Sequence, residues 1–205
     1  MDITAHISDR LLLDHPFYRR WEDGKLESSE LASYAAQYRF FEAQLPSFLE
    51  ALAGQLDGEA KALVEANLAD EVGGPATHLE LFEAFAAATN APVEGISPAM
   101  SALVSLYAEA VASGDAARAL GVLAGYEVQA ADVADTKGAG LAKHYGVTGA
   151  GLEFWNLHAT LEEDHAAWTT EAAASVDADA FLTGARQSAE AWWSYLDERE
   201  ALAAV

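Results

Sequence analysis

His158, Glu162 and His165 lie in FWNLHATLEEDHAAW, residues 154–168, at offsets i, i+4 and i+7. On a helix that turns about 100° per residue, those offsets fall within roughly 60° of arc. Two imidazoles and a carboxylate then aim the same way, which is half of a metal site. Glu71 and His78 offer two more donors, seven residues apart across Val72-Gly73-Gly74-Pro75. In one unbroken helix they would share a face, but Pro75 argues against one helix, so the pair is expected on a strained or mobile segment. Glu127 sits in the apolar run GVLAGYEVQAADVA among Val122, Leu123, Tyr126 and Ala130. A buried carboxylate is costly unless it is paired or bound to metal.

Taken singly, each donor has a plainer reading. His158 and Glu162 fit a surface i,i+4 pair, Leu161 to Asp164 fits a solvated acidic face, and Glu71 fits a surface position. Taken together, Glu71, His78, Glu127, His158, Glu162 and His165 form a natural ligand set for two divalent first-row metals. Hard oxygen and borderline nitrogen donors without sulfur favour iron or manganese over structural zinc. Helical bundles hold such sites in their cores, although the usual Glu-x-x-His pair of ferritin-like bundles is missing here.

The elements that must position these residues read as helices. The chain has 205 residues, and just over half of them are apolar, enough for a sizeable core. Ala, Leu and Glu fill long stretches without Pro, and alternating β-branched runs are nearly absent. The expected elements are a short amphipathic helix over 2–14, bearing Ile3, Ile7 and Leu11, and a long helix capped by Ser28 or Ser29. That long helix runs to about Gln55 with a kink at Pro46. Asp57 is expected to cap the next helix, which reaches Glu71. A helix through His78, Leu81, Phe82 and Phe85 follows the break, and Ser97-Pro98 opens another over 99–112. Then come a helix over 115–137 ending at Gly138, one from about Ala150 to Ala174, and a last one capped by Asp177. No internal repeat or interdomain linker is visible. The expectation is one all-α domain over 1–205, a bundle of seven to eight helices.

The formal charge is −22, which disfavours nucleic acid and anionic membrane surfaces as partners. Cysteine is absent, which excludes disulfides, thiolate metal sites and a thiol nucleophile. The N-terminal segment does not read as a signal peptide, and no apolar run is long enough to span a membrane, so the cytoplasm is the expected location.

Glu-x6-His, an isolated helical Glu, and His-x3-(Asp/Glu)-x2-His together resemble the heme-oxygenase-like diiron oxidases and oxygenases. The resemblance runs from His15 to about Trp168. Within that superfamily the chain is most similar to the 4-aminobenzoate synthases. The residues that carry this are His15-Pro16-Phe17-Tyr18-Arg19-Arg20-Trp21, Tyr126-Glu127 with Lys137 ten residues on, and Tyr38 in the long second helix. A more distant likeness is to the thiaminase-type bundle. One departure is Glu162, where many relatives have Asp; the longer carboxylate can still reach a metal and is expected to alter the site's geometry or metal preference.

The resemblance implies a heme-oxygenase-like bundle with two iron ions, or iron with manganese, held by the six donors. It further implies O₂ as co-substrate and an external reductant. In the aminobenzoate synthases the enzyme consumes itself, so by position Tyr18 is the ring donor and Lys137 the amino donor. Tyr126 and Tyr38 are then radical relays or neighbours. Against this stand the plainer readings of Tyr18 as a core aromatic and Lys137 as a cation at a helix C-terminus. The partners expected are a small-molecule or self-derived substrate, no nucleic acid, no membrane, and a second copy in a homodimer.

Three other functions stay open. One is a related oxygenase acting on an external amino acid or fatty acid by C–C cleavage, desaturation or N-oxygenation. Another is heme degradation with His15 as axial ligand, which leaves the six donors unexplained. The third is a non-catalytic helical interaction module. A thiaminase-type hydrolase is discounted for want of Cys.

Overall fold

The structure is a computed structural model. It describes residues 2–172 and 176–203, and of residues 161–170, 172 and 203 the backbone alone. The helices are α1 (Ile3–His6), α2 (Pro16–Glu22), α3 (Ser28–Glu42), α4 (Leu45–Ala53) and α5 (Gly58–Val72), then α6 (His78–Ala88), α7 (Pro98–Ala112), α8 (Ala116–His144), α9 (Ala150–Ala172) and α10 (Ala178–Ala203). No strand occurs among the described residues. None of their helices is long and apolar enough to cross a membrane.

Several boundaries follow the expected cap chemistry. Ser97 accepts the Met100 N–H with Pro98 in the first turn of α7. Asp177 Oδ1 accepts the Ala180 N–H at 2.8 Å. At α6, Thr77 Oγ1 accepts the Glu80 N–H at 3.2 Å while Glu80 accepts the Thr77 N–H at 2.8 Å, a reciprocal capping box.

Four expectations are corrected. Residues 2–14 do not form one helix. After α1 come two 3₁₀ turns, Ser8–Arg10 and Leu12–Asp14, with extended Leu11 between them. The Leu12 N–H donates to Gln129 Oε1 at 2.8 Å, a tertiary bond that removes this amide from any helical ladder. Ser28 is the first residue of α3 rather than its cap. Glu27 precedes it, and its N–H donates to Glu30 Oε2 at 2.7 Å.

The long second helix breaks in two. Pro46 lies in the first turn of α4, where a missing N–H costs nothing, so the chain restarts after Gln44 instead of kinking. Finally, α8 runs through Gly138 to His144. Gly138 and Gly140 let it lie close to its neighbours. A Cβ on Gly140 would stand 2.8 Å from the Trp21 ring, and one on Gly138 3.4 Å from Trp155 Cβ. That packing outweighs a helix penalty of about 1 kcal/mol per glycine.

α8 is the axis of the bundle and packs most extensively on α9 and α10. The α8–α10 contact is nearly backbone on backbone. A Cβ on Gly121 would meet Phe181 O at 1.9 Å, and one on Gly184 would meet Arg118 O at 2.1 Å. Around this axis lies a continuous aromatic core that includes Trp21, Tyr34, Tyr38, Phe82, Trp155 and Trp192. Trp192 is wholly buried and its Nε1–H donates to Tyr107 at 3.2 Å. Trp193 packs edge-on against His15, ring centroids 4.7 Å apart. Both tryptophans thus make contacts within the chain.

Candidate metal centre

The end of α5, the start of α6 and the middle of α9 converge on one point, and the end of α3 joins them. Glu42, Glu71, His78 and His158 each present a ligand atom, and all four atoms lie within 4.8 Å of one another. All four residues are buried, 2 to 7 % exposed. Val72 ends α5 and His78 opens α6, so Glu71 and His78 ride on two helices rather than one. The turn between them needs Gly74 in the left-handed region, φ +77°.

His78 Nδ1 stands 3.0 Å from Glu71 Oε1 without the direction a hydrogen bond needs. Close approach without a hydrogen bond is what two ligands aimed at a common cation look like. The His158 Nδ1–H donates to the Phe154 carbonyl at 2.8 Å, since a carbonyl can only accept. That bond fixes the tautomer and orients the ring, so that Nε2 is the nitrogen that carries the lone pair. The His78 and His158 rings meet edge-on with centroids 4.5 Å apart.

Burial pushes the Glu42 carboxyl well above the usual carboxylate range. The charge of Glu71 pushes it further, Lys137 opposes the shift, and Glu127 adds to it. Carboxylates gathered in a core with two imidazoles need a cation to be stable in ionised form. Their donor chemistry, oxygen and nitrogen without sulfur, fits iron.

Glu127 is buried and accepts a long hydrogen bond, 3.4 Å, from Asn67 Nδ2. It lies outside the converging four, although its charge reaches Glu42. The side chains of Glu162 and His165 lie outside the described residues; the backbone there is helical, part of α9. Of the six expected donors, the structure therefore brings together Glu71, His78 and His158.

A second buried cluster adjoins the first. Lys137 Nζ donates to Tyr34 Oη at 2.7 Å, and Tyr34 Oη pairs with Tyr18 Oη at 2.8 Å. The amine is enclosed by the rings of Trp155 at 4.4 Å, Tyr18 at 4.6 Å, Tyr34 at 5.1 Å and Tyr38 at 5.2 Å. Tyr38 Oη in turn pairs with Tyr126 Oη at 2.8 Å. Burial drives the Lys137 amine well below its ordinary value, with Glu42 pulling it back, and drives the Tyr18, Tyr34 and Tyr38 hydroxyls up. Lys137 is a mid-helix core residue, not a cation at a helix end. The four Tyr and Lys positions expected from the sequence thus meet in one place.

Sequence reasoning missed Glu42 and Tyr34. Both were detectable, because Tyr34, Tyr38 and Glu42 stand at i, i+4 and i+8 on one face of α3. Glu42 on that aromatic face is the same anomaly as Glu127 in its apolar helix. Tyr34, not Tyr38, bonds Lys137 and Tyr18.

A cavity of about 580 Å³ opens beside the centre. Gly73, Gly74 and Pro75 form one wall, and His78, Leu81, Asn156 and Leu157 are among its other lining residues. It lies at the break between α5 and α6, and of the four converging residues His78 lines it.

Fold and centre together define a heme-oxygenase-like helical bundle with a buried carboxylate–imidazole site. A domain of unknown function from Shewanella denitrificans with a heme oxygenase-like fold superposes with a TM-score of 0.79. It is 16 % identical, and the match covers 97 % of this chain and 89 % of that one. The chain belongs to the iron-containing redox enzyme family, whose model matches residues 32–193. Among curated relatives, a 4-aminobenzoate synthase of Nitrosomonas europaea is 31 % identical over 95 % of this chain and 88 % of its own length. A 4-aminobenzoate synthase of Chlamydia pneumoniae is 29 % identical over 95 % and 91 %. The chain is an oxidoreductase.

Proposed function

We propose that this enzyme makes 4-aminobenzoate, taking the ring from an internal tyrosine and the nitrogen from Lys137. Two iron ions, or iron with manganese, would be held by Glu71, His78, Glu127, His158, Glu162 and His165. When bound, such a pair supplies activation of O₂, with electrons from an external reductant. The observation that carries this reading is the Lys137–Tyr34–Tyr18 chain. An amine donor and two phenols are hydrogen-bonded, fully buried, and electrostatically coupled through Glu42 to the metal cluster. Nothing in ordinary packing calls for a lysine there. The names of the relatives agree with it.

The chain's residues do the positioning. Trp21 Nε1–H holds the Lys137 carbonyl at 3.2 Å, and Tyr195 Oη–H holds the Tyr34 carbonyl at 3.0 Å. α2, which carries Tyr18, is thereby tied to α8, which carries Lys137, and α3 is tied to α10. The aromatic walls exclude water from amine and phenol. Tyr18 stays the ring donor of this proposal, with Tyr34 its direct partner and Tyr38 and Tyr126 a second phenol pair beside it.

The test is isotopic. Protein grown with ring-labelled tyrosine and ¹⁵N-lysine, loaded with iron, is given O₂ and reductant without other substrate. The expected result is 4-aminobenzoate carrying both labels, not exceeding about one per chain, with a matching mass loss on a Tyr18 or Tyr34 peptide. Dioxygen uptake without labelled product overturns the proposal.

The cavity at the α5–α6 break favours a second reading, an oxygenase acting on an external amino acid or fatty acid. That reading predicts O₂ uptake that depends on the added substrate and leaves the tyrosines intact.

A further inference from the structure

We propose that Glu42 is itself a metal ligand of this centre, supplied by α3 in addition to the donors already named. The inference rests on the reading that a metal binds here. Three observations carry it. First, a Glu42 carboxylate oxygen is one of the four atoms that converge within 4.8 Å. Second, Glu42 is 2 % exposed, and its Oε1 has no hydrogen-bond partner among the described residues. An orphaned buried carboxylate oxygen is costly, and a cation beside it removes the cost.

Third, its position in the helix disfavours an uncompensated carboxylate. Glu42 is the last residue of α3, and Glu71 is next to last in α5. Both carboxylates sit at the negative ends of helix dipoles, where an anion is disfavoured by about 0.3–1 kcal/mol. Two such ends converge there on two imidazoles, in a buried pocket. A divalent cation reverses each of these penalties at once, whereas a purely structural Glu42 would be better replaced by Gln or Leu.

The test uses chelator-stripped protein and anaerobic Co(II) titration, with visible absorption reporting coordination and a competing chelator reporting affinity. Wild type, Glu42→Gln and Glu42→Asp are compared. The expected result is a loss of about tenfold or more in affinity for at least one Co(II) equivalent in Glu42→Gln, with a changed visible band. Glu42→Asp should fall between Gln and wild type. Metal-free Glu42→Gln should melt at or above metal-free wild type, because the variant removes a buried acid without removing a needed contact. The proposal is overturned if Glu42→Gln takes up Co(II) with wild-type stoichiometry, affinity and spectrum. It is also overturned if the metal-free variant melts well below wild type, which marks a packing role. Wild type that takes up no Co(II) is a different failure, since it removes the metal-centre reading and this proposal with it.

Discussion

Replacing Lys137 with methionine should stabilise the metal-free fold while ending product formation. The Lys137 amine is buried among four aromatic rings and keeps one hydrogen bond, to Tyr34. An ammonium there gives up hydration worth several kcal/mol and recovers part of it from the rings. A neutral amine pays instead through its depressed pKa. Methionine has a similar length and shape, so little cavity opens. The lost hydrogen bond costs about 1 kcal/mol, and Tyr34 keeps Tyr18 as partner, so no hydroxyl is orphaned. Glu42 loses an opposing charge, but burial already favours its protonated form. Against these costs, exchanging a buried charged group for a well-packed apolar one returns about 1–4 kcal/mol. The net gain should be about 1–3 kcal/mol, or about 2–12 °C in melting temperature for a chain of this size.

The gain should also depend on pH. The folded-state pKa of Lys137 lies below the ordinary 10.5, so the unfolded chain binds the extra proton between the two values. Wild-type stability therefore rises with pH through that window, and the advantage of methionine narrows. Thermal and urea melts of metal-free Lys137→Met at pH 7 and pH 10, with product measured by mass spectrometry, check all three statements. A variant less stable than wild type by more than 1 kcal/mol, or one that still makes product, refutes the reasoning.

The other predictions concern the frame. Gly121→Ala places a Cβ 1.9 Å from the Phe181 carbonyl and must push α10 off α8, so it should cost about 3 kcal/mol or more, read as a fall in urea midpoint. A midpoint equal to wild type would mean the two helices do not touch there. His15 accepts the Phe17 N–H at Nδ1 and pairs with Asp197 through Nε2, an arrangement only the neutral ring can make, and burial lowers its pKa below 6.5. As pH falls below 6.5 the unfolded chain takes up this proton first, so stability is lost in that direction. His15→Asn keeps an acceptor for Phe17 and does not titrate. Melts at pH 7.5 and 5.5 should show wild type losing stability relative to it, and parallel curves would reject the assignment.

Much of the site was legible because ligand spacing survives errors in helix boundaries. Glu71 and His78 were recognisable as donors although the segment between them resists any regular pattern. His158 was recognisable from its helical offsets alone. Lys137 and Tyr18 needed the resemblance, since nothing in local spacing links α2 to the middle of α8. Misplaced boundaries have a common cause. At Leu12 a tertiary hydrogen bond to Gln129, and at Gly138 and Gly140 close packing on Trp155 and Trp21, override local propensity. Pro46 reads as a kink in the sequence but is a helix start, because a proline in the first turn and one in the interior look alike without knowing where the preceding helix stops.

Glu42 and Tyr34 escaped for a different reason, and that reason points back to function. Local consistency is the rule for a sequence that specifies one fold, and breaches collect where the fold is not the only demand. This chain breaches the rule at carboxylates closing α3 and α5 and at a lysine in the dry middle of α8. Each breach is destabilising alone, and all of them border one volume. α3 ties them together, since its single face carries Tyr34 to the lysine, Tyr38 to Tyr126, and Glu42 to the imidazoles. If these residues were merely packing, stabilising substitutions at each would be neutral for activity. If they form one reactive unit, then Lys137→Met and Glu42→Gln should each raise metal-free stability and each lose product.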